Sequence, residues 1–386
     1  MNSISILIKP SSSNCNLGCK YCFYYDVAAH REHKSFGSME ESTVTSLIEK
    51  AFMTGAQQVT FAFQGGEPTL IGLEYFRFFI NEVNRLKDNQ TVNYAIQTNG
   101  TLLNDDFCEF FHENKFLVGL SLDGPKDVHD MNRLNSKGQG TFKEVNRAAE
   151  LLVKHRVEFN IVAVVTKASV RHIRKIYQYF KNQDYRYLQF IPCINDFDET
   201  ELKPYNITPQ EYGEFLVELF EMWYSDIIAG NFISIRTFDN YVQMLLGMPP
   251  ESCDMNGFCS VNPVVEADGS VYPCDFYVLD QWKLGNIKDD ELEALMKSEI
   301  ASSFIASGQH VDEKCRSCEY FQLCRSGCRR HKEMYQNQNG INDGNLGINY
   351  FCESYLYFFD KCYVKMKNVA SMIRSNQQPT GIPHTK

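Results

Sequence analysis

Residues 15–22 read Cys15-Asn16-Leu17-Gly18-Cys19-Lys20-Tyr21-Cys22, a C-x3-C-x2-C pattern, and no further cysteine follows until Cys108. Three thiolates on one tight loop can hold three irons of a [4Fe–4S] cluster and leave the fourth iron open, whereas electron-carrier clusters use four cysteines. A metal position that lacks a protein ligand is where a substrate or cofactor coordinates. A zinc knuckle, or three unrelated thiols, also satisfies this spacing, so the surrounding chain has to decide.

Outward from the loop, the pattern to about residue 195 alternates β-rich runs with helical periodicity. Strands are predicted over 3–9, 59–64, 93–97, 117–122, 159–165 and 187–192, and helices over 40–52, 75–87, 105–114, 141–155 and 169–182. Strands separated by helices pair in parallel through right-handed crossovers. The closure this predicts is an α/β fold, a partial (β/α)6 TIM-like barrel. The cysteine loop, Gly65-Gly66-Glu67-Pro68, Gln97 to Gly100, Ser121 to Gly124 and Pro192 to Ile194 each fall just past a strand. In parallel barrels that end is the catalytic face.

Residues 208–247 read as a helical connector, opened by Thr208 as N-cap with Pro209 at the first helical position. Character then changes. From Cys253 to Cys352 the chain is loop-rich and carries eight cysteines: Cys253, Cys259, Cys274, Cys315, Cys318, Cys324, Cys328 and Cys352. Asp268-Gly269 in an alternating run marks a hairpin between Cys259 and Cys274. The domains expected are therefore 1–235, 236–372 and a polar, disordered tail over 373–386. Eight thiols make two complete sets for two further clusters; two structural zinc sites fit the spacings as well.

Composition narrows the classes. A net charge of −10 with no basic run argues against a nucleic-acid partner. No stretch of eighteen apolar residues exists, so no membrane span is expected. The amino terminus lacks the basic and long apolar segments of an export signal. Fourteen cysteines then belong in a reducing, cytoplasmic setting, as metal ligands sooner than disulfides.

With these motifs in place, the chain resembles the radical S-adenosylmethionine (SAM) enzymes that carry a carboxy-terminal SPASM domain, and within them the anaerobic sulfatase-maturating enzymes. The stretches CNLGCKYCFYY, FAFQGGEPTL, QTNGTL, FLVGLSLDGP, VEADGSVYPCDFYVLD and CRSCEYFQLCRSGCRR carry the resemblance, which spans roughly residues 1–372. It implies oxidation of a Cys or Ser side chain in a sulfatase peptide to Cα-formylglycine, with SAM and three [4Fe–4S] clusters as cofactors.

Residue by residue, the resemblance puts the SAM-cleaving cluster on Cys15, Cys19 and Cys22, and SAM itself on Tyr21, Gly66, Glu67, Ser121, Arg133 and Ile194. It assigns Cys253, Cys259, Cys274 and Cys328 to the first auxiliary cluster, and Cys315, Cys318, Cys324 and Cys352 to the second. Asp275 becomes the base that takes the proton from the substrate, and the auxiliary clusters take the electron. The implied partners are a peptide or unfolded sulfatase with a C/S-x-P/A-x-R motif and a reductant such as flavodoxin or ferredoxin. A maturase of another ribosomal peptide (thioether or carbon–carbon link, or epimerisation) shares this plan, and a non-catalytic iron–sulfur carrier is the rival of another class. Cys108 and Cys362 read as small buried hydrophobes, and Trp223 and Trp282 as core. Cys193 lies at the expected mouth.

Overall fold

The computed structural model describes residues 2–341 and 346–375, so the expected tail lies outside the described residues from 376 onward. The chain divides into two compact units, one made of 1–121, 132–159 and 260–306, the other of 122–131, 160–259 and 307–386.

The strands, in chain order, are β1 (Ser3–Ile8), β2 (Gln58–Phe63), β3 (Thr91–Thr98), β4 (Phe116–Ser121), β5 (Phe159–Val165), β6 (Tyr187–Pro192), β7 (Ser234–Ile235), β8 (Val264–Val265), β9 (Ser270–Tyr272) and β10 (Gly285–Asn286). In the first unit β1 to β4 run parallel in sequence order. On the free edge of β1 lies β8, also parallel, followed by antiparallel β9 and β10. In the second unit β5, β6 and β7 are parallel. All six strands predicted from the sequence are present, and neither unit's strands close on themselves. The Asp268-Gly269 turn joins β8 to β9 as expected, with Gly269 at φ +91° and Glu266 donating its N–H to the Ser270 carbonyl at 2.9 Å.

Strand alternation explains the core of the first unit. Ile4, Ile6 and Ile8 of β1 face inward in register with Val59, Phe61 and Phe63 of β2. The helix Leu73–Leu86 meets them with Tyr75, Phe76, Phe79, Ile80 and Val83, one stripe at helical spacing. Phe63 packs edge-on to Phe76 and Phe79, with centroids 5.1 and 5.0 Å away, a geometry aromatic quadrupoles favour.

Three expectations shift. The helix predicted over 169–182 is two, Lys167–Arg171 and Ile173–Asn182, because Thr166 and Ser169 cap a short turn of their own. The connector is also two helices, Pro209–Ile228 and Arg236–Leu245: Gly230 at φ +80° stops the first, and β7 intervenes. Its start is as read, since Thr208 Oγ1 accepts the Glu211 N–H at 3.2 Å and Glu211 Oε2 the Thr208 N–H at 2.8 Å, a reciprocal cap. The cysteine-rich segment holds more helix than its composition suggests, including Glu299–Gly308 and Arg329–Asn339, and Cys352 opens a helix that runs to Arg374. Among the described residues no helix is long and apolar enough to cross a membrane.

Candidate active site and metal centres

The cysteine loop follows β1 directly and ends where Cys22 caps the helix Phe23–Ala29. Backbone bonds dock it on a distant segment: Gly18 N–H to the Leu134 carbonyl at 2.7 Å and Lys20 N–H to the Asn132 carbonyl at 3.0 Å. That docking carries buried Arg133 to the face of Tyr21, 5.4 Å from its ring centroid. Two residues read as SAM contacts from separate motifs are thereby neighbours. The pairing of 132–135 with the loop has no local sequence signal.

The two glycines after β2 have reasons within the chain. A Cβ on Gly66 would stand 2.3 Å from the Asn14 carbonyl oxygen, and one on Gly65 would stand 2.5 Å from Lys9 Cε. Both have φ in the left-handed region, at +55° and +101°. Glu67 is fully enclosed. Its Oε1 accepts from Thr69 N–H (3.0 Å), Thr69 Oγ1 (2.7 Å) and Thr98 Oγ1 (2.7 Å), and its Oε2 from the Asn99 N–H (2.7 Å). Burial pushes this carboxyl up and the four donors pull it back. Glu67 thus ties the Gly-Gly-Glu-Pro turn to Thr98-Asn99, and Oε2, with one donor against three on Oε1, retains acceptor capacity. Ser121, at the end of β4, accepts from Gln97 Nε2 at 2.9 Å. Ile194 is buried in the second unit, just past β6.

Asp275 sits in a polar cluster that sequence reading only partly anticipated. Its Oδ2 accepts from the Tyr24 hydroxyl at 2.5 Å and from Gln64 Nε2 at 3.1 Å, and Gln64 Nε2 also reaches the Tyr24 oxygen at 2.6 Å. Its Oδ1 is enclosed and has no hydrogen-bond partner among the described residues. Lys9 Nζ lies 4.9 Å from the Tyr24 ring centroid. Burial raises the Asp275 carboxyl, with Glu266 adding to it; the Lys9 charge and the two donors oppose. Burial and the Asp275 charge hold Tyr24 well above a normal phenol, so its proton stays in place for donation. Behind this cluster, Arg31 pairs with Glu266 at 2.5 Å, both side chains shut off from solvent, and Ser12 donates to the same carboxylate oxygen at 2.9 Å.

Of the eight later cysteines, Cys274 lies in the first unit, next to Asp275, and the other seven lie in the second. No cysteine is in a disulfide. Burial pushes the Cys324 thiol up to about 12 and Cys328 higher still. A metal binds the thiolate, so loading a cluster here has to displace these protons. Cys324 and Cys328 wall one cavity of about 10 Å³ together with Asp254, His331 and Asn349. Among the described residues no three His, Cys, Asp or Glu side chains converge on a point that one ion would fill. Cys193 is buried and donates to the Tyr205 carbonyl at 3.6 Å, the behaviour of a core thiol. Cys108 and Cys362 are fully buried. Trp223 donates to the Ile233 carbonyl inside the core, and Trp282 packs edge-on to Phe304.

Comparison with known proteins places this arrangement. Residues 10–180 match the radical SAM superfamily and 253–319 the iron–sulfur cluster-binding SPASM domain. The chain is 49% identical to a cysteine-type anaerobic sulfatase-maturating enzyme of Clostridium novyi, over 98% of this chain and all of the relative. The chain belongs to the anaerobic sulfatase-maturating enzyme family. A serine-type anaerobic sulfatase-maturating enzyme of Bacteroides thetaiotaomicron is 30% identical over 98% of this chain and 94% of its own. A solved structure, native anSMEcpe with bound AdoMet and Cp18Cys peptide, superposes with a TM-score of 0.91 at 44% identity, covering 96% of this chain and 99% of that one. The fold class expected from the sequence, a radical SAM partial barrel with a SPASM domain, is that of this family. So is its cofactor class: SAM, a [4Fe–4S] cluster and auxiliary iron–sulfur clusters.

Proposed function

We propose that this enzyme oxidises a cysteine, or a serine, in a sulfatase peptide to Cα-formylglycine. When bound, SAM and the amino-terminal cluster supply a 5′-deoxyadenosyl radical that takes one hydrogen atom from the substrate Cβ, and the auxiliary clusters supply a sink for one electron. The thiol or hydroxyl proton is the remaining loss, and this chain provides its acceptor. Asp275 Oδ1 is an enclosed carboxylate oxygen with no partner among the described residues, while Tyr24 and Gln64 fix the other oxygen. That free oxygen is the observation that carries the reading, since a general base must reach its proton within hydrogen-bond distance. A cysteine substrate becomes a thioaldehyde, which water hydrolyses to formylglycine with release of hydrogen sulfide.

Within this reading Cys15, Cys19 and Cys22 hold the first cluster. Arg133 and Ser121 suit the carboxylate of SAM, Tyr21 and Ile194 its remaining surface, and the Gly66-Glu67 turn its ammonium group through Glu67 Oε2. Cys253, Cys259, Cys274 and Cys328 form one auxiliary set, and Cys315, Cys318, Cys324 and Cys352 the other. The proposed functional division, 1–235 and 236–372, follows the two ligand-bearing regions of the sequence and differs from the division into compact units. The substrate is a peptide or unfolded sulfatase bearing C/S-x-P/A-x-R, the reductant a flavodoxin or ferredoxin, and the compartment the reducing cytoplasm that fourteen cysteines suit.

Anaerobic incubation with SAM, reductant and a short C-x-P-x-R peptide, read by mass spectrometry, tests it. Loss of two hydrogens followed by formylglycine is the expected product. A cross-linked or epimerised peptide would move the assignment to another maturase class.

A further inference from the structure

Lys332 lies in the helix Arg329–Asn339, and its side chain is shut off from solvent. The ammonium donates to the His310 carbonyl at 2.8 Å, and among the described residues no carboxylate forms an ion pair with it. Burying an ammonium without an anion is costly, and proteins compensate with a counter-charge. Arg329, on the same helix, has its counter-charge in Glu333 at 2.8 Å. Lys332 stands one helical turn past Cys328, whose carbonyl accepts its backbone N–H at 3.2 Å, and a Cβ on Gly308, two residues before His310, would lie 2.5 Å from Cys259 Sγ. Burial disfavours the ammonium, and Cys315, Cys259, Cys328 and Cys324 are near enough to act on its charge.

Those four thiols divide between the two auxiliary ligand sets of the preceding section. Cys259 and Cys328 belong to one, Cys315 and Cys324 to the other. The sets meet beside Cys328, one turn before Lys332, since Cys324 and Cys328 wall the same small cavity. The donor chemistry fits a cluster-loaded state: four thiolates outweigh the charge of a [4Fe–4S] core and leave each site anionic. A buried cation between two anionic sites is stabilised by both, and it stabilises the more negative, reduced form of each.

We infer that Lys332 is a shared counter-charge for the two auxiliary sites, favouring their loaded state and raising the reduction potential of both clusters. The inference rests on the proposed ligand sets, and its test separates the two. Parent protein, Lys332→Gln and Lys332→Arg are purified anaerobically and compared by iron content and by redox titration followed by electron paramagnetic resonance. About twelve irons per parent chain supports the ligand sets, as three four-iron clusters require, and stoichiometric zinc sinks them. With the sets in place, Lys332→Gln should move both auxiliary midpoints negative. The reduced-to-oxidised ratio at fixed potential should fall at least tenfold, about 59 mV for a one-electron couple. Lys332→Arg should stay near the parent, and the amino-terminal cluster should not move in any of them. Unchanged midpoints in Lys332→Gln, or a shift confined to one auxiliary cluster, overturns the inference. Should Lys332→Gln hold too little auxiliary iron to titrate, Lys332→Arg decides: retained iron supports the charge, and equal loss overturns it.

Discussion

The Tyr24 hydroxyl donates to Asp275 Oδ2 at 2.5 Å across 251 positions of sequence. Tyr24 is two residues past Cys22, and Asp275 is one past Cys274, so one bond links the chain beside the proposed radical-forming loop to the chain beside a proposed auxiliary ligand. The Gln64 amide, from the end of β2, completes the triangle. The same bond leaves the other Asp275 oxygen with nothing to do in the resting chain.

Asp275→Asn keeps the shape and an acceptor for Tyr24 but removes the capacity to take a proton. Formylglycine formation should fall by about a hundredfold or more, the usual contribution of a positioned base. Formation of 5′-deoxyadenosine should stay within a few-fold of the parent, because the proton transfer proposed for the carboxylate follows SAM cleavage. Both products can be quantified from one anaerobic reaction. Equal loss of both would make Asp275 a residue of the SAM site instead.

Tyr24→Phe deletes one donor to a charged group, a bond worth about 1.5–3 kcal/mol. The expected result is a drop of about tenfold in formylglycine per 5′-deoxyadenosine, with iron content unchanged. Gln64 remains to hold the carboxylate, so the effect should be smaller than that of Asp275→Asn. A ratio equal to the parent's would show that Gln64 alone fixes the carboxylate.

Local structure is legible in the sequence where its signal is local. The Cys15 loop, the Asp268-Gly269 turn and the Thr208–Glu211 cap are short patterns whose geometry is set by a few adjacent residues. Parallel strands also announce themselves, because β5 is apolar along most of its length and β1 alternates. What the sequence hid is pairing between distant segments. Nothing in residues 132–135 says that they will dock on Gly18 and Lys20, and Tyr24 and Gln64 look like ordinary neighbours of louder motifs. Such contacts follow from how whole elements pack, and no local periodicity encodes them.

Gly66 tests that packing. A methyl group there would lie 2.3 Å from the Asn14 carbonyl oxygen and 2.8 Å from that of Ser12, in a conformation at φ +55°. Both obstacles are backbone leading into the cysteine loop, one and three residues ahead of Cys15, so neither yields cheaply. Gly66→Ala should displace the loop and cost the chain about four of its roughly twelve irons, those of the amino-terminal cluster. Gly18→Ala is the control, since nothing lies within 4 Å of a Cβ at that position and its φ is ordinary. It should retain its iron.

Asp239 offers a pH dependence away from the cysteines. It accepts from Ser234 Oγ at 2.6 Å in the helix that follows β7, and burial, with Glu251 nearby, raises its carboxyl to about 7. In the unfolded chain the same group ionises near its ordinary value, about 4. The folded state therefore holds the extra proton between those limits, and stability falls as pH rises from about 4 through about 7, then levels. Asp239→Asn removes that loss. Its stability advantage over the parent, measured by urea unfolding, should be larger at pH 8 than at pH 5 by about 2 kcal/mol, allowing for partial exposure. An advantage independent of pH would mean that Asp239 is ionised in the folded chain and that its bond to Ser234 outweighs burial.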